Sequence, residues 1–522
     1  MEVSRRTALK SLAAVAGAGA VSVSGSSGLA YAASAARNHG IRAELEGLPS
    51  LREVWEWEIF MNGLGTRWTG SPAHGRFVEF LADQFSRIGC TVGRLHYTFP
   101  YWEAGRTAIT IDDGLGRNVP VSGHMRLSNQ TPGPAYELAA TTVTAPLIYG
   151  GTYPNISVAA GAATGKILYF DHPLVPEAYT PPAPGALFQT MATYPAGTPF
   201  PPPGFQPPPQ PLPPGTTDNA AYGSFNFAGF TLPAGCAGVI VGWQNISEGN
   251  ALYQNSGLSE IGIPGLFVGP AAAGTMRKAA QKGATATMTL DATVTPNTPT
   301  DTIFATLPGA SEEVIIVNTH TDGPNFTEEN GSLGILALAR HLARLPRRSR
   351  NRTFVFVMVT GHLTPPYFEP WENAGFIGSN PSLISRTVGG LTVEHLGAME
   401  WCDDADLQYR PTGLVETTIC PVNPLPGKTT SAVSRALLGS LRRSRDTRVA
   451  LTNGLFLGLG GAFYAAGIPQ IGHIPVPNYL LAAPPSGYIE KSNPEHMYGQ
   501  IKLFADVLHT MDNMSAAELR GT

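Results

Sequence analysis

The sequence predicts an α/β domain with a mostly parallel central sheet, and three features of its second half carry that expectation. Glu313-Val-Ile-Ile-Val-Asn318 and Thr353-Phe-Val-Phe-Val-Met-Val359 are continuous apolar runs of strand length, the pattern of strands buried on both faces. Between them, Gly331 to Leu345 places Leu333, Leu336, Ala337, Leu338 and Leu342 at helical spacing. Gly390-Leu-Thr-Val-Glu394 is a third strand. Strands that alternate with helices build parallel sheets covered by helices, and ligands bind such sheets beyond the carboxyl ends of the strands.

The earlier elements follow in order. Ser4-Arg5-Arg6-Thr7-Ala8-Leu9-Lys10 reads as a twin-arginine export signal, with Ala30-Tyr31-Ala32 offering small residues for its removal. The alternative, a membrane anchor, would need a longer apolar run with less Gly and Ser. The expected location is therefore outside the cytoplasm, secreted or held at the cell envelope, with no integral membrane segment in the mature chain. Ser50 to Gly89 reads as helical, with Phe77, Phe80, Leu81 and Phe85 at helical spacing before a stop at Gly89. Strands are expected at Thr91–Phe99 and Thr107–Ile111. From about Tyr136, short apolar strands separated by glycine turns take over: 145–149, 166–170 and 238–241. Pro173 to Pro214 is too rich in proline for a helix or central strand and is expected to be an irregular or polyproline excursion.

Composition narrows the function. Of 522 residues, 43% are hydrophobic, so a large core is available. The net charge of −4 offers no basic stripe for nucleic acid. Cys90, Cys236, Cys402 and Cys420 show no CxxC spacing, which excludes a cysteine zinc site; Cys402 and Cys420 are left either paired or reduced. No G-x-S-x-G elbow supports a serine hydrolase.

The polar residues that matter stand at the predicted strand ends. His320-Thr321-Asp322-Gly323 closes the first strand, and Asp322 is placed to orient the His320 imidazole. Glu328-Glu329-Asn330-Gly331-Ser332 opens the following helix. Thr360-Gly361-His362 ends the second strand, and Glu394-His395-Leu396-Gly397 the third. Each alone would pass as a surface turn or as acidic capping of a helix. Together, an imidazole and carboxylates from separate strand ends describe a zinc site.

Several of these segments resemble the zinc aminopeptidase and glutamate carboxypeptidase metallopeptidases. Arg67-Trp68-Thr69-Gly70-Ser71 is similar to the family's R-x-x-GS opening, 316–322 to its strand ending in H-x-D, and Glu329-Asn330-Gly331-Ser332 to its D-N-x-S. Residues 391–397 resemble the strand ending in D-x-x-G, and 463–469 the F-x-x-x-GIP stretch. Residues 136–294, with the 173–215 proline-rich loop inside, resemble a protease-associated insert. The metallopeptidase-like parts would then be 48–135 and 295–515, after a signal at 1–35, and the fold a three-layer aminopeptidase type. The resemblance places one zinc on His320, Glu329 and Glu394, with Asp322 behind His320. The second zinc loses its private ligands: its carboxylate becomes Leu363 or Asn373, and its late His falls near Gly487-Tyr488-Ile489, offset from His473 and His496. One zinc per chain is therefore expected. His362 and Glu372 are the candidate general bases. The function implied is an exported metal-dependent hydrolase of a peptide or another amide or ester. The alternative is a catalytically silent exported binding protein on the same fold.

Overall fold

Two serines start the first two helices. Ser50 Oγ accepts the Glu53 amide at 3.2 Å and caps Leu51–Gly63. Ser71 Oγ accepts the His74 amide at 3.0 Å, and Pro72 follows at the first helical position of Pro72–Arg87. The computed structural model describes residues 47–521 apart from 113, 115, 132–136, 154, 174–187, 195–231, 257–259, 364–371, 423–431, 442–447, 455 and 457. The expected export signal and most of the proline-rich stretch therefore lie outside the described residues.

The central sheet runs Thr91–Asp112, Thr285–Leu307, Thr353–Val359, Val314–His320, Thr387–Val393, Gln470–Pro475, Thr418–Pro421 and Val449–Gly454. The four strands from Thr353–Val359 to Gln470–Pro475 are mutually parallel, so their carboxyl ends share one edge. Because side chains alternate along a strand, the sheet divides its apolar residues between two faces. Val314, Ile316, Val355, Val357 and Val359 pack with Phe376, Leu459 and Phe463 from one helical layer. On the other face, Phe356 stacks on Phe85 of Pro72–Arg87, ring centroids 5.8 Å apart. Helix Gly331–Arg344, nearly all of it buried, lies in that second layer. The expected α/β fold with a mostly parallel sheet between helical layers is what the chain forms.

Thr91–Asp112 and Thr285–Leu307 make one long antiparallel ribbon, with register shifts at Phe99/Tyr101 and Ala104/Thr107. Those shifts separate the two short strands read from the sequence, since a bulge interrupts the alternation without ending the strand. The ribbon leads into a second sheet. Thr285–Thr289 pairs with Thr142–Pro146, and Thr142–Thr152, Ile167–Pro173, Gly238–Gln244 and Gly265–Val268 run parallel in that order. Helix Pro270–Gln281 packs on this sheet through Ala273 and Met276.

One sequence expectation is corrected here. Phe188–Tyr194, inside the stretch read as irregular, is a strand paired antiparallel with Val449–Gly454. It occupies a window without proline, so each backbone N–H remains available to the ladder. Cys90, Cys236 and Cys420 are free thiols, so Cys420 is not bonded to Cys402. No described helix is long and apolar enough to cross a membrane.

Candidate metal centre

His320 is the last residue of its strand and is fully buried. Its Nδ1 lies 2.8 Å from the Asp322 backbone carbonyl and 3.6 Å from the Asp322 carboxylate. The carbonyl thus takes the Nδ1 proton at closest range. The carboxylate, which also accepts the Leu363 amide at 2.9 Å, stands behind it. His395 is held the same way, with Nδ1 2.6 Å from the Pro475 carbonyl. Two backbone carbonyls therefore hold both imidazoles through Nδ1 and leave Nε2 toward the cluster, the nitrogen that ligates a metal once it carries no proton.

The third member is Glu328. His320, Glu328 and His395 each offer one ligand atom, and these lie within 4.8 Å of one another. His395 Nε2 is 3.3 Å from Glu328 Oε2. His320 Nε2, Glu328 Oε2 and His395 Nε2 are all buried and have no hydrogen-bond partner among the described residues. Three converging orphaned atoms are rare in a folded interior, where buried polar atoms find partners. Bridging the two loops that carry them, Asn330 donates to the Leu396 carbonyl at 2.8 Å and accepts the Leu396 amide at 2.7 Å. His395 itself sits at φ 55°, a left-handed conformation that a non-glycine residue adopts only where its surroundings impose it.

This set differs from the expected His320, Glu329 and Glu394. Glu329 Oε1 is engaged by Arg67 Nε. That arginine, 1% exposed, also donates to the carbonyls of Met61 at 3.0 Å and Asn325 at 2.9 Å, and to that of Gly65. Glu329 is therefore, through Oε1, the counter-ion of a buried arginine, its Oε2 buried without a hydrogen-bond partner among the described residues, and the neighbouring Glu328 turns toward His320. Glu394 stays at the rim of the cluster: its Oε1 accepts the Leu459 amide at 3.1 Å, and its Oε2 is 3.8 Å from His395 Nε2. Gly458 makes that approach possible, since a Cβ there would come within 2.7 Å of Glu394 Oε1. Sequence reading quoted Glu328 and His395 but assigned neither. Adjacent carboxylates are indistinguishable until the distant Arg67 claims one.

His362 and Glu372 form one unit, Nδ1 to Oε1 at 3.1 Å, with the His362 ring centroid 4.3 Å from that of His320. Burial and the neighbouring His320 oppose charge on His362, but Glu372 outweighs them and leaves it above its ordinary value. The other groups show what gathering acids in a dry site does. Burial pushes Glu328 up to about 8, and Glu329 to about 7 against the opposing Arg67; it raises Glu394 as well. Burial disfavours charge on His320 too, yet the Asp322, Glu328 and Glu394 carboxylates outweigh it and bring that imidazole to about 10. Burial, reinforced by His320, keeps His395 well below its ordinary value and neutral.

Behind the site, Gln500 ties the His395 turn to the last long helix, Pro494–Asn513. Its Oε1 accepts the Gly397 amide at 2.8 Å, and its Nε2 lies 3.2 Å from His473 Nε2 and 3.0 Å from His496 Nε2. His473 and His496, offset from the expected late ligand, thus take part in this hydrogen-bond network.

No protein-family model matches the chain, and no curated protein is similar to it. Its fold does match solved structures. A peptidase M28 precursor from Shewanella amazonensis SB2B superposes with a TM-score of 0.60 at 15% identity, over 94% of this chain and 97% of that one. A zinc aminopeptidase from Bacillus subtilis gives 0.57 at 15%, over 90% and 98%. An aminopeptidase from Aneurinibacillus sp. strain AM-1 gives 0.52 at 16%, over 90% and 94%. At these identities the match concerns architecture: the chain is built on the fold those aminopeptidases use.

Proposed function

We propose that this protein is a zinc-dependent hydrolase of peptides or other amides and esters, with a single metal held by His320, Glu328 and His395. The observation that carries the reading is the set of three buried, converging atoms with no hydrogen-bond partner among the described residues. Two imidazoles and one carboxylate form a donor set of catalytic zinc sites, three protein ligands with one position left open. The crowd of buried carboxylates fits as well, since a divalent cation supplies the positive charge that desolvated acids lack. When bound, zinc would polarise the substrate carbonyl and acidify water.

The protein's own residues supply the proton handling. Glu372 orients His362 through Nδ1, and the His362 imidazole takes a proton from the attacking water and returns it to the leaving group. Asp322 and the Pro475 carbonyl hold the two ligand imidazoles in one tautomer. The raised Glu394 carboxyl, fixed by the Leu459 amide, offers a second proton-holding atom at Oε2. The sheet around Thr142–Thr152 and Gly238–Gln244 we assign to a protease-associated insert, and the twin-arginine sequence at Ser4 to Lys10 to export. The solved aminopeptidases that share the fold support the peptide reading.

The test is hydrolysis of a panel of amide and ester substrates by zinc-free and zinc-reloaded protein. Activity should appear only with zinc. The melting temperature should rise with free zinc, by the equivalent of about 4 kcal/mol at a thousandfold excess over the dissociation constant. A protein that binds zinc but hydrolyses nothing on the panel would instead be a binding protein. His362→Ala should keep its zinc while turnover drops about 100-fold or more. Loss of zinc from that variant would make His362 a ligand, and full activity would pass the proton role to Glu372 alone.

A further inference from the structure

Lys491 is 2% exposed, and its Nζ has no hydrogen-bond partner. Four aromatic rings surround it instead. Nζ lies 3.5 Å from the ring centroid of Tyr488, 4.2 Å from Tyr409, 4.7 Å from Tyr479 and 4.9 Å from Trp401. Trp401 and Tyr409 come from the hairpin Met399–Asp403 and Tyr409–Val415, and Tyr479 and Tyr488 from the chain leading to Lys491. An ammonium buried without a partner is costly, and an apolar side chain would fill the same box without that cost. The ring faces offset the cost only when the cation sits among them, so the arrangement fixes one position for the lysine and for its backbone. Tyr488 adds to this, held at φ 57°.

The strap anchored in this way, residues 487–493, touches both loops that carry the candidate ligands. On one side the Phe326 amide donates to the Gly487 carbonyl at 2.7 Å, and Thr327 Oγ1 lies 3.4 Å from Ser492 Oγ, immediately before Glu328. On the other side Ser492 forms an antiparallel bridge with Ala398, and the Asn493 amide donates to the Gly397 carbonyl at 2.9 Å, two residues after His395. Tyr479 joins the box to this side, its hydroxyl 2.9 Å from the Met399 carbonyl and 3.1 Å from that of Lys491.

We infer that Lys491 is a positioning residue: its ammonium, locked in the aromatic box, fastens the strap that holds the Glu328 and His395 loops at their ligand spacing. The inference rests on the zinc reading above. The three phenols stay neutral, because burial pushes Tyr488 up to about 12 and Tyr409 and Tyr479 well above their ordinary range. Burial also lowers Lys491 to about 7, so the test is made below that pH, where the lysine carries its charge.

The experiment uses Lys491→Ala in the full chain. This change removes three methylenes and the ammonium, a volume that n-propylammonium fills and that n-propanol fills without charge. Two quantities are read: the zinc dissociation constant by chelator competition, and amide hydrogen exchange of residues 325–330 and 394–398 in zinc-free protein. Zinc binding should weaken by at least about tenfold, and both loops should exchange faster. Addition of n-propylammonium should reverse both effects, and n-propanol neither. Unchanged exchange in the two loops overturns the inference, as does equal rescue by the alcohol, which would reduce Lys491 to packing. Should Lys491→Ala not fold, Lys491→Met keeps all but the last atom of the side chain without the charge, and wild-type affinity and exchange in that variant overturn it equally. A wild-type protein that binds no zinc defeats the functional reading, while the exchange measurement still decides the lock.

Discussion

Glu328→Ala is expected to lower zinc affinity by at least about 100-fold and to abolish hydrolysis with it. That factor is the upper end of what is lost when a group that merely orients a ligand is removed; Glu328 is proposed as a ligand itself. His395→Ala should behave alike. The stability of the zinc-free protein should move the other way. Glu328 is buried with an oxygen that has no hydrogen-bond partner among the described residues, and burial raises its pKa to about 8. An alanine removes that unfavourable group, so zinc-free Glu328→Ala should be at least as stable to denaturant as zinc-free wild type. A residue kept for structure would lower stability when removed; one kept for a cation costs stability until the cation arrives. A variant that unfolds more easily and keeps its zinc would assign Glu328 to structure.

Arg67→Met is expected to have the largest effect on folding, about 3–5 kcal/mol in denaturant titration. The guanidinium is 1% exposed and serves the Glu329 carboxylate and the carbonyls of Met61, Gly65 and Asn325 at once. Removing it takes the guanidinium donor from a buried carboxylate and from the carbonyls of Gly65 and Asn325, while Met61 keeps the Leu64 amide, a desolvation cost with nothing in return. Glu58, also fully buried and without hydrogen bonds to either oxygen, loses a nearby positive charge as well. The double variant Arg67→Met with Glu329→Leu should recover part of the loss, because the pair is then removed together. A loss below about 1 kcal/mol in the single variant would place this ion pair in the range of surface pairs and contradict its burial.

The fold was legible because it rests on local signals. Runs such as 353–359 are apolar on both faces only where helices cover both sides of a sheet. Leu333, Leu336 and Leu342 mark an inner helical face, and Gly89 marks a helix end. His320 was legible for the same reason: it closes a strand that the pattern defines. The pairing of Glu329 with Arg67 was not, because that arginine stands more than 250 residues earlier in the chain. His395 was hidden by its backbone. At φ 55° the turn after Thr387–Val393 sends the imidazole toward His320 and leaves Glu394 on the Leu459 amide, and no local propensity announces a left-handed histidine. The strand Phe188–Tyr194 was obscured by composition, since proline on both sides hid a window able to pair.

The most direct test of the central claim is zinc content per chain in dialysed wild type, Glu328→Ala and Glu329→Gln, measured side by side. The proposed centre predicts about one equivalent in wild type, retention of that zinc in Glu329→Gln, and its loss in Glu328→Ala. Two equivalents that survive dialysis, or zinc kept by Glu328→Ala and lost by Glu329→Gln, would contradict it.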